Sequence, residues 1–222
     1  MAIEIVLTGI LFVLSEGCSW RAIHRSGAHW NVIYQYYRRW CRSGLWEQIW
    51  QKVAHDQKGQ IVYVDSSHVK VHQCALNPAG GRQTQAVGLT KGGWNSKVHA
   101  AVDRAGVPRV LLLTAGNEAD VNYAMDVIEG IEMETAVFDK GYDSNSLRHQ
   151  LLDQGVLPCI PSKSNRIDPI PYNKVTYKKR HLVENFFQKI KTFRRMATRY
   201  DKLAINYFGW VVLAAIIKYG QF

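Results

Sequence analysis

A chain of 222 residues that is 47% hydrophobic can bury one sizeable core, which excludes a disordered or low-complexity protein and points to one main domain. Its formal net charge of +10 is unevenly placed: residues 161–222 hold 13 Lys and Arg against 3 Asp and Glu, whereas residues 1–160 hold 15 of each. Such a local excess is an electrostatic footprint for a polyanion, most commonly a phosphate backbone, while a solvated, solubilising surface is the plainer alternative. Cys18, Cys41, Cys74 and Cys159 are far apart and form no CxxC pair, so they read as reduced thiols and not as a disulfide scaffold or zinc site.

In chain order, "MAIEIVLTGILFVL" predicts a core helix over residues 3–14: Glu4 replaces the basic flank of a signal peptide, and the run is too short to span a bilayer. "SWRAI" predicts a second helix with Ser19 as N-cap. After "RSG", Trp30, Tyr34, Tyr37 and Cys41 recur at helical spacing with Arg38, Arg39 and Arg42 beside them. "SGLWEQIWQKVA" then restarts a helix with Leu45, Ile49 and Val53 on one side. Two short helices about a glycine turn permit a helix-turn-helix, and aromatic packing in an all-helical subdomain explains the same pattern.

From Gln60 the texture changes. "QIVYVDSS" is a strand; after a Gly-rich polar stretch (77–93), "SKVHAAVD" and "VPRVLLLT" are strands joined by the turn "DRAG". "EADVNYAMDVIEGI" reads as a helix, "ETAVFD" as a strand, "DSNSLRHQLLDQG" as a helix, "VLPCI" as a strand and residues 178–197 as one long helix, with "PSKSNRIDPIPYNK" as a loop. That order describes a mixed sheet with helices on both faces.

Two apolar strands end in acids, Asp65 and Asp139. A carboxylate so placed has lost water and needs a partner. Asp143 instead reads as an N-cap-region acid. On the last long helix, Leu182, Val183, Phe186, Phe187, Ile190, Phe193 and Ala197 share one apolar arc at about 100° per residue. Tyr177, Arg180, Glu184 and Lys191 share a narrower stripe, provided the helix extends back to Tyr177. Such a stripe suits a site holding a cation beside a phosphate, or, more plainly, a surface ion pair between Arg180 and Glu184.

Together these residues resemble the DDE transposases of the bacterial insertion-sequence 5 family, within the larger insertion-sequence 4 group. Tyr177, Arg180, Glu184 and Lys191 meet the group's Y-x2-R-x3-E-x6-K signature in full, and "VDSSHVKVHQ", "TKGGWNSKVHAAVD" and "RRMATRYDKLAINY" are similar to family text. The resemblance implies an α/β fold: an RNase H-like mixed five-stranded sheet flanked by helices, preceded by a small all-helical region. It implies a helix-turn-helix-like unit at 1–56, expected to be incomplete because the family usually carries a longer N-terminal segment, and a catalytic domain at 57–222 with basic C-terminal helices.

The implied activity is divalent-metal-dependent cleavage at element ends and 3′-hydroxyl strand transfer. Asp65, Asp139 and Glu184 would be catalytic and would hold two Mg²⁺ or Mn²⁺ ions. Tyr177, Arg180, Lys191, Arg194, Arg195 and Arg199 are expected at the DNA, with Arg38 and Arg39 if the N-terminal helices read a groove. Implied partners are double-stranded DNA, as element ends and target, and further copies of the chain in a homodimer or larger active complex. No membrane partner is implied, and the location is cytoplasmic and nucleoid-associated. The competing readings are an RNase H-like nuclease without strand transfer and a transposase-derived DNA-binding protein.

Overall fold

A computed structural model of the chain describes residues 2–23, 27–54 and 60–220. Three helices open it: α1 (Ile3–Glu16), α2 (Trp30–Arg42) and α3 (Leu45–Val53). α1 stops at Gly17, whose φ of 66° is the left-handed conformation that glycine adopts without strain. "SWRAI" forms only a 3-10 turn, Trp20–Ala22, and Ser19 stands at its N-cap position without a side-chain bond. α2 buries Ile33, Tyr37 and Cys41, whereas α3 buries Trp46 and Trp50 in place of the expected Leu45, Ile49 and Val53. Two indoles remove more apolar area from water than that aliphatic face would, so they set the helix rotation.

The strands are β1 (Ile61–Val71), β2 (Gly88–Thr90), β3 (Gly93–Val102), β4 (Pro108–Ala115), β5 (Thr135–Val137), β6 (Leu157–Cys159) and β7 (Thr198–Arg199). β4, β3, β1, β5 and β6 lie side by side in that order; β1 is antiparallel to β3 and parallel to β5, which is parallel to β6. Parallel neighbours need a crossover, and α4 (Asn145–Asp153) supplies it between β5 and β6. This is the RNase H-like order. Two short additions bring the sheet from the expected five strands to seven: β2 continues the pairing along β3, and β7 adds two residues beside the end of β1.

β1 is central and apolar on both faces. Tyr63 and Val69 join the larger core, and Val62 and Val64 join the smaller one with Ala124, Val127, Leu147 and Leu151. The larger core also takes in the N-terminal helices and α8 (Ala204–Tyr219), so residues on either side of the expected 56/57 boundary share one apolar interior; the boundary itself lies outside the described residues. Tyr37 stacks on Trp210 of α8 at 3.9 Å between centroids, and its hydroxyl donates to the Asn206 carbonyl at 2.6 Å. Gly209 of α8 has no room for a Cβ, which would stand 2.4 Å from the Cys41 sulfur. All four cysteines are free, and no described helix is long and apolar enough to cross a membrane.

Two expected helices differ. The "EADVNYAMDVIEGI" stretch is a 3-10 turn, Asp120–Tyr123, followed by further turns with i to i+3 bonds, such as Ile128 N–H to the Met125 carbonyl at 3.1 Å. Its entry is pinned because Asp120 is paired with Lys97 of β3 at 2.6 Å, and Gly130 closes it at φ 72°. The expected helix over 178–197 is broken in two, α6 (His181–Lys191) and α7 (Arg194–Ala197), and a separate short helix, α5 (Lys174–Lys178), precedes them. Bonds from Arg180 N–H to Tyr177 and from Leu182 N–H to Lys179 tighten the first junction. At the second, the Thr192 hydroxyl donates back to the Lys189 carbonyl at 2.7 Å and Phe193 turns extended.

Candidate catalytic centre

The sheet register brings Asp65 and Asp139 level. β1 and β5 run parallel with Tyr63 opposite Val137, and two residues further on come Asp65, within β1, and Asp139, just past the end of β5. Adjacent strands are about 4.8 Å apart, so the two carboxylates stand on neighbouring backbones at one end of the sheet. Asp65 shares the face of Tyr63, the face on which α6 packs through Val183, Phe186, Phe187 and Ile190. Glu184, next to Val183 in the first turn of α6, is therefore carried to the rim over Asp65. Asp139 caps the following 3-10 turn by accepting from the Gly141 N–H at 2.7 Å.

Arg180 joins the strand acid to the helix acid. Its Nη1 donates to Asp65 Oδ2 at 2.5 Å and its Nη2 donates to Glu184 Oε1 at 2.5 Å. Burial pushes the Asp65 carboxyl above its ordinary pKa, aided by the Asp139 charge and opposed by the Ser66 N–H and Arg180. Burial acts against the guanidinium charge too, but Asp65 and Glu184 outweigh it and raise the Arg180 pKa. One cation thus bridges two carboxylates, with a third close enough to Asp65 to be felt.

Tyr177 stays on this side although it sits on α5, its ring 5.9 Å from the Arg180 guanidinium carbon. At the far end of the stripe, the Lys191 Nζ donates to Ser67 Oγ at 2.6 Å and to the His68 carbonyl at 3.1 Å. Lys191 therefore fastens α6 to β1, and burial lowers its pKa. Ser67 is a site residue that the sequence reading passed over; its signal is its position two residues after Asp65, on the same strand face.

The other basic residues divide. Arg194 is exposed, with a 3.5 Å contact to Glu16. Arg195 and Arg199 are buried, which corrects the expectation that they face a backbone of phosphates: their terminal guanidinium nitrogens bond within the fold. Arg195 donates to Asp201 Oδ1 at 3.1 Å and to the Cys18 carbonyl at 3.2 Å. Arg199 donates to Ser96 Oγ at 2.7 Å and to the carbonyls of Ala86, Asp201 and Lys202. Arg39 and Arg42 are exposed on α2, while the half-buried Arg38 lies 5.5 Å from the Tyr34 ring. Asp143, read as a cap-region acid, is a buried hub that binds Arg148 at 2.9 Å and Arg166 at 2.8 Å and holds the 161–174 loop.

Asp65, Asp139 and Glu184 are hard oxygen donors of the kind a divalent cation takes, and Asp65 and Glu184 close on one cation, the guanidinium. Among the described residues no three His, Cys, Asp or Glu side chains, Asp65, Asp139 and Glu184 included, are grouped closely enough to hold a metal ion, and the guanidinium stands between Asp65 and Glu184.

Residues 56–168 match the family described as "Transposase DDE domain", and residues 3–50 match the one described as "Putative transposase of IS4/5 family". Over 124 residues the chain is 32% identical to the "Putative transposase for insertion sequence element IS6501" of Brucella ovis, an overlap of 54% of this chain and 93% of that protein. Over 121 residues it is 28% identical to the "Putative transposase for insertion sequence element IS402" of Burkholderia cepacia, which spans 49% of this chain and 55% of that protein. Among solved structures, the piggyBac transposase in a synaptic complex with hairpin DNA is similar in fold, with a TM-score of 0.57 at 11% identity, covering 97% of this chain and 64% of that one.

Proposed function

The chain belongs to the DDE-domain transposases of insertion sequences, and on that premise we propose that it cuts DNA at element ends and joins the freed 3′-hydroxyl to target DNA. The observation that carries this reading is the single guanidinium bonded to both Asp65 and Glu184, a strand acid and a helix acid closing on one cation, with Asp139 two residues past the end of the adjoining strand.

Divalent-metal dependence goes with the family; in this reading Asp65, Asp139 and Glu184 hold two Mg²⁺ or Mn²⁺ ions. Bound there, such ions lower the pKa of an attacking water or hydroxyl and neutralise the leaving oxygen. The chain's own residues do the rest. Asp65 is fixed in orientation by the Ser66 N–H, which donates to its Oδ1 at 2.8 Å. Lys191 keeps α6, and with it Glu184, in register with β1, and its ammonium has a third donor for a phosphate oxygen. Arg180 offers the planar fork that matches a phosphate, and the Tyr177 ring beside it can stack or hydrogen-bond to the nucleic acid. Arg39 and Arg42 give α2 a cationic surface suited to a second DNA contact. In this reading the chain works in a homodimer or larger complex, in the cytoplasm at the nucleoid.

The experiment is strand transfer with duplexes that carry a pre-cleaved 3′-hydroxyl end, in Mg²⁺. Joined products are expected. Hydrolysis of DNA without any joined product would instead assign a nuclease, and binding with neither reaction a DNA-binding protein alone.

A further inference from the structure

The Arg180 contacts have a consequence beyond phosphate binding. A guanidinium and a metal ion cannot both lie between Asp65 and Glu184. Both contacts are 2.5 Å, and the Asp65 and Arg180 side chains are about four-fifths buried, at 19% and 20% exposure. Removing a cation from such a place leaves carboxylates with no counter-charge, which is costly. An ion arriving from solvent must therefore displace a partner already in position.

What can draw Arg180 away is another anion of matching geometry. A phosphate diester accepts the same bidentate fork as a carboxylate. Arg180 is also placed to move without disturbing the acids. It is the N-cap residue of α6, at the two-residue junction with α5, whereas Glu184 is a full turn inside α6 and Asp65 is in the middle of β1. The Tyr177 ring lies beside the guanidinium, its centroid 5.9 Å from the Arg180 guanidinium carbon. Lys191 cannot take over at the acids, since Ser67 and the His68 carbonyl hold it.

We propose that Arg180 is an exchangeable counter-cation: in the free protein its guanidinium occupies the place between Asp65 and Glu184, and a DNA phosphate draws it off, so that divalent metal binds tightly only to the DNA-bound protein. This rests on the reading of the three acids as metal ligands. The coupling is reciprocal, so metal must tighten DNA by the factor by which DNA tightens metal. Its use is that free protein is kept from loading metal before a strand is in place.

The test is calorimetric titration of Ca²⁺ into the wild type, Arg180→Gln, Arg180→Lys and Asp65→Asn, each with and without a random-sequence duplex. For the wild type, Ca²⁺ should bind about tenfold tighter with DNA than without, a coupling of ordinary size. Arg180→Gln should bind Ca²⁺ about tenfold tighter than wild type without DNA and show little further gain with it; Arg180→Lys, which keeps the charge, should stay near wild type. Equal Ca²⁺ affinity of the wild type with and without DNA overturns the proposal without recourse to any variant. So does an Arg180→Gln affinity no tighter than wild type when Asp65→Asn has abolished binding, and in that case the metal-site reading stands. Ca²⁺ binding left intact by Asp65→Asn removes the metal-site reading, and the proposal with it.

Discussion

Two arginine–carboxylate clusters draw their arginines from the last third of the chain. In one, Arg180 joins Asp65 to Glu184, and Glu184 remains 45% exposed. In the other, Arg195 meets Asp201 with both side chains 5% exposed, while Arg199 is wholly buried and ends on four protein oxygens. The second cluster ties α7, β7 and the start of α8 to β3 and the N-terminal chain. The first holds no elements together that Lys191 and the α6 core contacts do not already hold. Charge in the sequence marks both alike; access to an outside anion separates them, one a structural fastening and the other a site.

The comparison breaks most visibly through stability. Arg199→Ala should cost about 3–5 kcal/mol, since it removes a wholly buried guanidinium and leaves the Asp201 and Lys202 carbonyls without its donors in a dry interior. Urea denaturation measures it, and Arg180→Gln, whose partner Glu184 is 45% exposed to water, should cost less than Arg199→Ala. A loss under about 1 kcal/mol for Arg199→Ala would erase the distinction.

The Asp143 hub sharpens it through pH. Burial pushes the Asp143 carboxyl up, but the Lys163 N–H, Arg148 and Arg166 outweigh that and hold it below its ordinary 3.8. A depressed carboxyl contributes stability above its unfolded value and loses it as pH falls through the folded one. Asp143→Asn should therefore be less stable than wild type at neutral pH, and the gap should close below about pH 4. Melting curves from pH 7 to 3 would show it; a gap independent of pH would mean that Asp143 acts by shape alone.

The smallest effect is on DNA affinity. Lys191→Ala should lower the salt slope of binding by about one unit, as should Arg194→Ala, whose stability should stay within about 0.5 kcal/mol of wild type. Arg195→Lys, measured where it is folded, should leave the slope unchanged. A reduced slope for Arg195→Lys would put that residue back on the DNA surface.

Much of the site was legible because it rests on local rules. Asp65 in one apolar strand, Asp139 just past a second, and the three spacings that separate Tyr177, Arg180, Glu184 and Lys191 need only the periods of strand and helix. The Tyr177 to Lys191 stripe survives the break between α5 and α6, because tightened bonds at Lys179 and Arg180 keep the chain turning the same way. Burial of Arg199 was not legible, since its partners Ser96 and Ala86 are over a hundred residues away and meet it only once β7 pairs with β1. The turns at 120–131 were misread for a related reason. Ala124, Val127 and Ile128 have helical spacing, but the segment's course is fixed from outside by the Lys97–Asp120 pair. Likewise, nothing near Ser67 in sequence reveals that Lys191 would reach it.

The most direct measurement is single-turnover DNA cleavage in Mg²⁺ by Asp65→Asn, Asp139→Asn and Glu184→Gln, with DNA binding recorded for each. If the three acids are one metal-dependent centre, each change should lower cleavage by at least about a thousandfold, some 4 kcal/mol of barrier, while DNA binds as tightly as before or slightly tighter. Cleavage at near wild-type rates by two of the three would contradict it.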